Sequence, residues 1–273
     1  MKKLIFILLC FSLMTFGSSA KIIEVAPAGA WGIGLIGGGG ANAFDKTDAT
    51  LKGLWYFEED LTDETTNGNN LSASGTLSYA ASSPNPATTN DSQAYSVFME
   101  AANHEHAESD SADLDPNDDM SVGCWFYPNN ITAEMALFSK NSTTSELYGW
   151  RLYLEGNDAN DPTTLRYSLD GTSTTTYTVN SLYAETTWIH LVVVFDGSGE
   201  NNVRLYKNGS EVTGGNFPGA NTGTVYNPDI PFMIGDWDGS NFELDGYADE
   251  CFYFQGKALS DAEVLQIYTY GFE

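Results

Sequence analysis

From residue 51 onward, apolar and polar positions alternate in short runs, broken about every ten to fifteen residues by Gly, Asn, Asp or Ser. The runs include LKGLWYF, MSVGCWFYP, GWRLYLEG, TLRYSLDG, TWIHLVVVFD, VRLYKNG, PFMIGDW and DECFYFQG. A period of two places alternate side chains on opposite faces of a strand, so many short strands with frequent turns predict an all-β sandwich. Arg151 and Tyr153 alternate with Leu152 and Leu154, which puts one face inside and one in water. Residues 189–195 are apolar or aromatic at nearly every position, the pattern of a central strand covered on both faces. Asn208-Gly209 tolerates the positive φ angles of a two-residue hairpin, and Asp170-Gly171 is a second candidate. The helical period occurs convincingly only near the end. Ser260 and Glu263 have capping-box spacing, Val264, Ile267 and Tyr268 form an apolar stripe, and Gly271 can stop the helix.

The beginning of the chain reads differently. Lys2 and Lys3 precede an apolar run to Phe16 and the small residues Ser18-Ser19-Ala20, so residues 1–20 are expected to be a signal peptide. The run is shorter than the ~20 residues a membrane span needs, so no membrane insertion is expected after cleavage. Residues 21–47 carry glycine at six positions between Gly32 and Gly40, which disfavours a helix and predicts a flexible leader. Residues 48–273 then form a single domain. Export leaves Cys124 and Cys251, either disulfide-bonded to each other or buried as free thiols. With 37 acidic against 11 basic residues and a formal net charge of −26, the chain would repel nucleic acid and anionic lipid.

Taken in order, GLWYFEE, DETTNGNN, LDPNDDMSVGCWFYP, TTWIHLVVVFDGS, VRLYKNGSEV, FMIGDW and LDGYADECFYFQGKALSDAEV resemble the laminin-G-like jelly rolls of the concanavalin-A-like lectin/glucanase superfamily. The resemblance runs from about residue 51 to 270. It implies two antiparallel sheets packed face to face, and binding modules more often than enzymes. It also implies a structural calcium bridging the first loop to the end of the last strand, here Asp63, Asn67-Gly68-Asn69 and Asp249. Thr66 stands where the family commonly has glycine, and the alternative is that Asp63 caps its own turn and Asp249 a strand.

Catalytic chemistry finds little footing. Glucanases of this superfamily carry alternating carboxylates on one strand face, but after Glu243 and Asp245 the next acid is replaced by Tyr247 or Ala248. His104 and His106 have the spacing of a shared strand face, with a polar strand edge as the plainer reading. The loop Asp236-Trp237-Asp238-Gly239-Ser240-Asn241 offers an indole between acids. Asp236, Trp237, Asp238 and Asn241 are therefore candidate sugar ligands, unless Trp237 folds back over the sandwich edge. Trp125 and Trp188, inside strand-like runs, are expected in the core. The expected function is a secreted, non-catalytic module that binds a glycan or an extracellular protein. A structural subunit of a surface appendage or virion, or a divergent glycoside hydrolase, are the alternatives.

Overall fold

The computed structural model describes residues 43–81, 94–131, 133–141, 149–156, 162–197, 203–213, 223–237 and 242–273. The expected signal peptide lies outside the described residues, as do nearly all of the glycine-rich leader and the ligand candidates Asp238 and Asn241. The described residues fall in one unit, Asn42–Glu273.

Fifteen strands are present among the described residues. In chain order they are β1 (Leu51–Trp55), β2 (Ser72–Ser74), β3 (Ser78–Ala80), β4 (Ser96–Met99), β5 (His106–Ser109), β6 (Asp119–Pro128), β7 (Met135–Asn141) and β8 (Gly149–Leu154). There follow β9 (Thr163–Tyr167), β10 (Thr175–Val179), β11 (Ile189–Asp196), β12 (Val203–Lys207), β13 (Ser210–Glu211), β14 (Phe232–Ile234) and β15 (Gly246–Gln255), and the chain ends with helix α1 (Asp261–Tyr270). One sheet has the order β13-β12-β11-β6-β15-β4-β3, with β1 also paired to β15; the other runs β10-β9-β8-β7-β14-β5-β2. All strand pairs are antiparallel. This is the expected two-sheet jelly-roll sandwich with a short C-terminal helix.

The alternating apolar positions meet between the sheets. Leu191, Val193, Phe195, Val122, Phe126, Phe138, Trp150, Leu165, Phe232 and Tyr253 belong to this buried cluster. A second cluster lies on the outer face of the eight-stranded sheet, where Val192, Val194, Phe252 and Phe254 meet Val264 and Ile267 of α1. The helix is thus the second cover that the apolar run 189–195 requires, more than an appendix to the sheet. Its capping box is formed, Ser260 accepting from the Glu263 amide while the Glu263 carboxylate accepts from the Ser260 amide. Beside the helix, Phe44 pairs in parallel with Phe272, bringing the start and end of the domain together.

Strand β15 is the seam of the molecule. It runs along β6 for its whole length, and on its other side it pairs first with β4 and then with β1. The change of neighbour coincides with a bulge between Asp249 and Phe252, where Glu250 takes a positive φ of 47°. The bulge sets Cys251 against Cys124, and the two form a disulfide between adjacent strands. The tight hairpin expected at Asn208-Gly209 joins β12 to β13 with both φ angles positive, 49° and 77°.

Candidate binding site

The first loop is organised by one carboxylate. Asp63 Oδ1 accepts from the amides of Leu54 (3.1 Å) and Thr65 (2.9 Å); Oδ2 accepts from the Asn69 amide (2.8 Å) and the Thr65 hydroxyl (2.8 Å). A carboxylate offers about four acceptor positions, so these bonds use all of them. Asn69 is equally committed: its side-chain Nδ2 donates to the Lys52 carbonyl at 2.7 Å and its side-chain oxygen accepts from Ser111 at 2.6 Å. Asn67 donates to the Leu51 carbonyl at 2.8 Å, and Gly68 supplies a left-handed turn at φ 74°. A calcium on Asp63 would have to displace these donors, so Asp63, Asn67, Gly68 and Asn69 do not fit the ion the resemblance implies. The loop is closed by its own hydrogen bonds, as the turn-capping alternative has it.

Asp249 is a different case. It sits on β15 at the change of neighbour, wholly buried. Its Oδ1 accepts from the Glu250 amide at 2.8 Å, while Oδ2 is buried with no hydrogen-bond partner. Desolvation above all, and then the charges of Glu250 and Glu58, push this carboxyl well above the usual range; the Glu250 amide bond opposes the shift. Among the described residues, no three His, Cys, Asp or Glu side chains form a metal-binding group.

Of the two readings of Trp237, exposed or folded back, the second holds. Trp237 is 4% exposed: its ring stacks on Phe242 at 3.9 Å between centroids, Tyr153 meets it edge-on at 5.1 Å, and the Arg151 guanidinium lies 3.8 Å from its centroid. Asp236 is fully buried, bonding the Trp237 amide at 2.6 Å and facing His106 Nδ1 at 3.3 Å. Trp237 therefore folds back over the seven-stranded sheet, and neither described residue of that loop offers a free sugar-binding face. The two histidines also separate. His106 is on β5, whereas His104 occupies a left-handed turn before it and pairs with the buried carboxylate of Glu243. That pairing engages one carboxylate of the interrupted glucanase-like pattern, while the other, Asp245, accepts from Asn129 at 3.5 Å.

The part of the eight-stranded sheet away from α1 carries a group of aromatic side chains that are far apart in the sequence. Tyr127 on β6 lies opposite Tyr247 on β15, and Tyr247 opposite Phe98 on β4. Their strand neighbours Phe126, Ala248 and Val97 belong to the inter-sheet core, so alternation directs these three rings outward. Trp188, expected in the core, immediately precedes β11 and joins them. Ring centroids are 5.4 Å (Trp188 to Tyr127), 5.7 Å (Tyr127 to Tyr247) and 6.4 Å (Trp188 to Tyr247) apart, so these three form a triangle, with Phe98 a further 4.9 Å from Tyr247. All four rings are partly exposed. One step along each strand and on the same face, Trp125 and His190 lie beneath Tyr268 of α1, which marks where the helix cover stops.

A family described as concanavalin A-like lectin/glucanases superfamily (Laminin_G_3) matches residues 101–265. No curated protein matches the sequence. Among solved structures, domain 4 of AbnA, a GH43 extracellular arabinanase from Geobacillus stearothermophilus in complex with arabinotriose, is 21% identical, with a TM-score of 0.55 over 80% of this chain and 98% of that one. The binding domain of Paraclostridial Mosquitocidal Protein 1 is 13% identical (TM-score 0.57, 80% of this chain and 52% of that one). The receptor binding domain of botulinum neurotoxin mosaic serotype C/D is 14% identical (TM-score 0.54, 79% and 49%). The chain thus spans about half of these toxin domains and nearly all of the arabinanase domain. No helix among the described residues is long and apolar enough to cross a membrane.

Proposed function

Because the chain belongs to the concanavalin A-like lectin/glucanase superfamily, as a laminin-G-like member, we propose that it is an exported, non-catalytic module that binds carbohydrate. The observation that carries this reading is the group Trp188, Tyr127, Tyr247 and Phe98, four partly exposed rings in contact on the sheet face beside α1. Aromatic faces give sugars an apolar surface to stack on, and rings held by strand register need little ordering on binding. The similar structures support the reading, since they are described as binding domains or, for the arabinanase domain, as a complex with arabinotriose. Retention on a panel of immobilised polysaccharides, scored alongside release of reducing ends, tests it. Retention without hydrolysis is expected; release of reducing ends by the purified chain would contradict the non-catalytic assignment.

A structural calcium enters this proposal at Asp249 alone. Its orphaned, buried Oδ2, with Glu58 and Glu250 as charged neighbours, supports a cation there, which would offset the cost of confining these charges. Calcium at a hundredfold its dissociation constant would add about 2.7 kcal/mol. Wild type should melt a few degrees higher in calcium than in magnesium at matched ionic strength. Asp249→Asn should show no such difference, and should melt no lower than wild type in chelator. Equal melting of wild type in both ions would remove the site.

A further inference from the structure

We infer that a cleft at the opposite ends of β6 and β15 from the aromatic group, with Lys140 at its base, holds one uncharged sugar unit through its hydroxyl groups. The cleft has a volume of about 220 Å³ and is lined by Asp110, Asp115, Lys140, Asn227, Asp229 and Ile230 among others. That is below the ~300 Å³ at which pockets for drug-sized ligands begin, and of the order of a single sugar ring. Lys140 stands two residues beyond Phe138 on β7 and opposite Trp150 on β8, both in the inter-sheet core, so alternation directs it inward. A buried ammonium is costly unless it is paired, and two partners hold this one: Asp115 at 2.9 Å and the Ile230 carbonyl at 2.6 Å. An ammonium has three N–H donors, and these partners use two of them. The third is left for a ligand oxygen. The walls are preorganised. The Ile230 amide closes a tight turn on the Pro228 carbonyl at 3.0 Å, and the Asp115 carbonyl accepts from Gln255 at 3.1 Å.

The arrangement of charge selects the ligand. Lys140 is at the base, its side chain 2% exposed, whereas Asp110 and Asp229 are exposed at the mouth. Asp115 compensates the Lys140 charge, so the base does not call for an anion, and the two outer carboxylates repel one. A metal ion entering the cleft would meet the ammonium. Hydroxyl groups suit both levels, as acceptors toward Lys140 and as donors toward Asp110, Asp229 and the Asn227 side-chain oxygen. The cleft is also separate from the aromatic group. Gln255 ends β15 and Tyr247 is its second residue, so eight residues of strand, roughly 27 Å, lie between them. One sugar unit cannot reach both, which makes the cleft a second site, independent of the one that carries the proposed function.

Nitrogen-edited NMR titration of the full chain with D-glucose, D-galactose, D-mannose, L-arabinose, D-glucuronate and D-galacturonate locates binding by residue. At least one neutral sugar should shift the amides of Asp115, Asn227, Asp229 and Ile230, with a dissociation constant of about 1 mM. The uronates should bind at least about tenfold more weakly than that sugar. Lys140→Met keeps the apolar stem, and Asp229→Asn alters an exposed position that the fold does not need; each should weaken the sugar by about tenfold. Preference for a uronate would overturn the ligand class. Silence of these amides toward every neutral sugar, or unchanged affinity in both variants, would overturn the site. Shifts confined to Trp188, Tyr127 and Tyr247 would also overturn it, while supporting the carbohydrate reading of the aromatic group.

Discussion

Asp63 organises the first loop through four hydrogen bonds accepted by a nearly buried carboxylate, one from Leu54 of β1 and three from within the loop. Asp63→Asn keeps the shape but turns one acceptor atom into a donor facing donors. Hydrogen bonds to a charged group contribute ~1.5–3 kcal/mol each and are not additive, so urea denaturation should show a loss of about 3 kcal/mol. That loss should be the same in calcium and in chelator; a loss seen only in calcium would make Asp63 a ligand after all. The Asp63-to-Thr65 spacing is a local turn signal visible in the sequence, because an Asp side chain readily bonds the backbone two residues on. The commitment of the remaining oxygen to Asn69, and of Asn69 to Ser111, depends on tertiary contacts that spacing does not reveal. Trp237 misled for a similar reason. Its acidic neighbours in sequence favour exposure, but Arg151 and Tyr153, far away along the chain, and Phe242, five residues on, supply its cover.

Helix α1 depends on the strand face beneath it, and His190 reports that dependence. The imidazole is fully buried among Trp125, Phe252 and Tyr268, and burial holds it down to about 3 from an ordinary 6.5. In the unfolded chain it takes up a proton near 6.5, while the folded chain refuses it until about 3. The stability this confers is present above pH 6.5 and declines as pH falls toward 3, by about 1.4 kcal/mol per pH unit for one proton. Chemical denaturation between pH 6.5 and 5, where few carboxylates titrate, should show this slope in wild type and its loss in His190→Phe. An unchanged slope in the variant would place the proton elsewhere. At this scale the sequence was most legible: the apolar run 189–195 required two covers, and the Ser260–Glu263 box and Gly271 marked the helix that supplies one of them. Which face the helix covers was not readable, because the chain does not state how β11, β6 and β15 lie side by side.

That order of strands is also what assembles the aromatic group. Tyr127, Trp188, Tyr247 and Phe98 are widely spaced in sequence, and each taken alone reads as an ordinary strand residue. They become neighbours only because β6 inserts between β11 and β15, and β4 pairs with the first half of β15. The same alternation that sends Phe126, Ala248 and Val97 inward sends Tyr127, Tyr247 and Phe98 outward, so core and binding face have one cause. The account turns on whether a glycan contacts these rings. Titration of wild type and of the Trp188→Ala/Tyr247→Ala double variant with an oligosaccharide from a polysaccharide that retains the protein measures this most directly. The account predicts stoichiometric binding by wild type and binding weakened by at least about tenfold in the double variant, whose two rings are in contact so that their losses need not add. Equal affinity of the two proteins would contradict it.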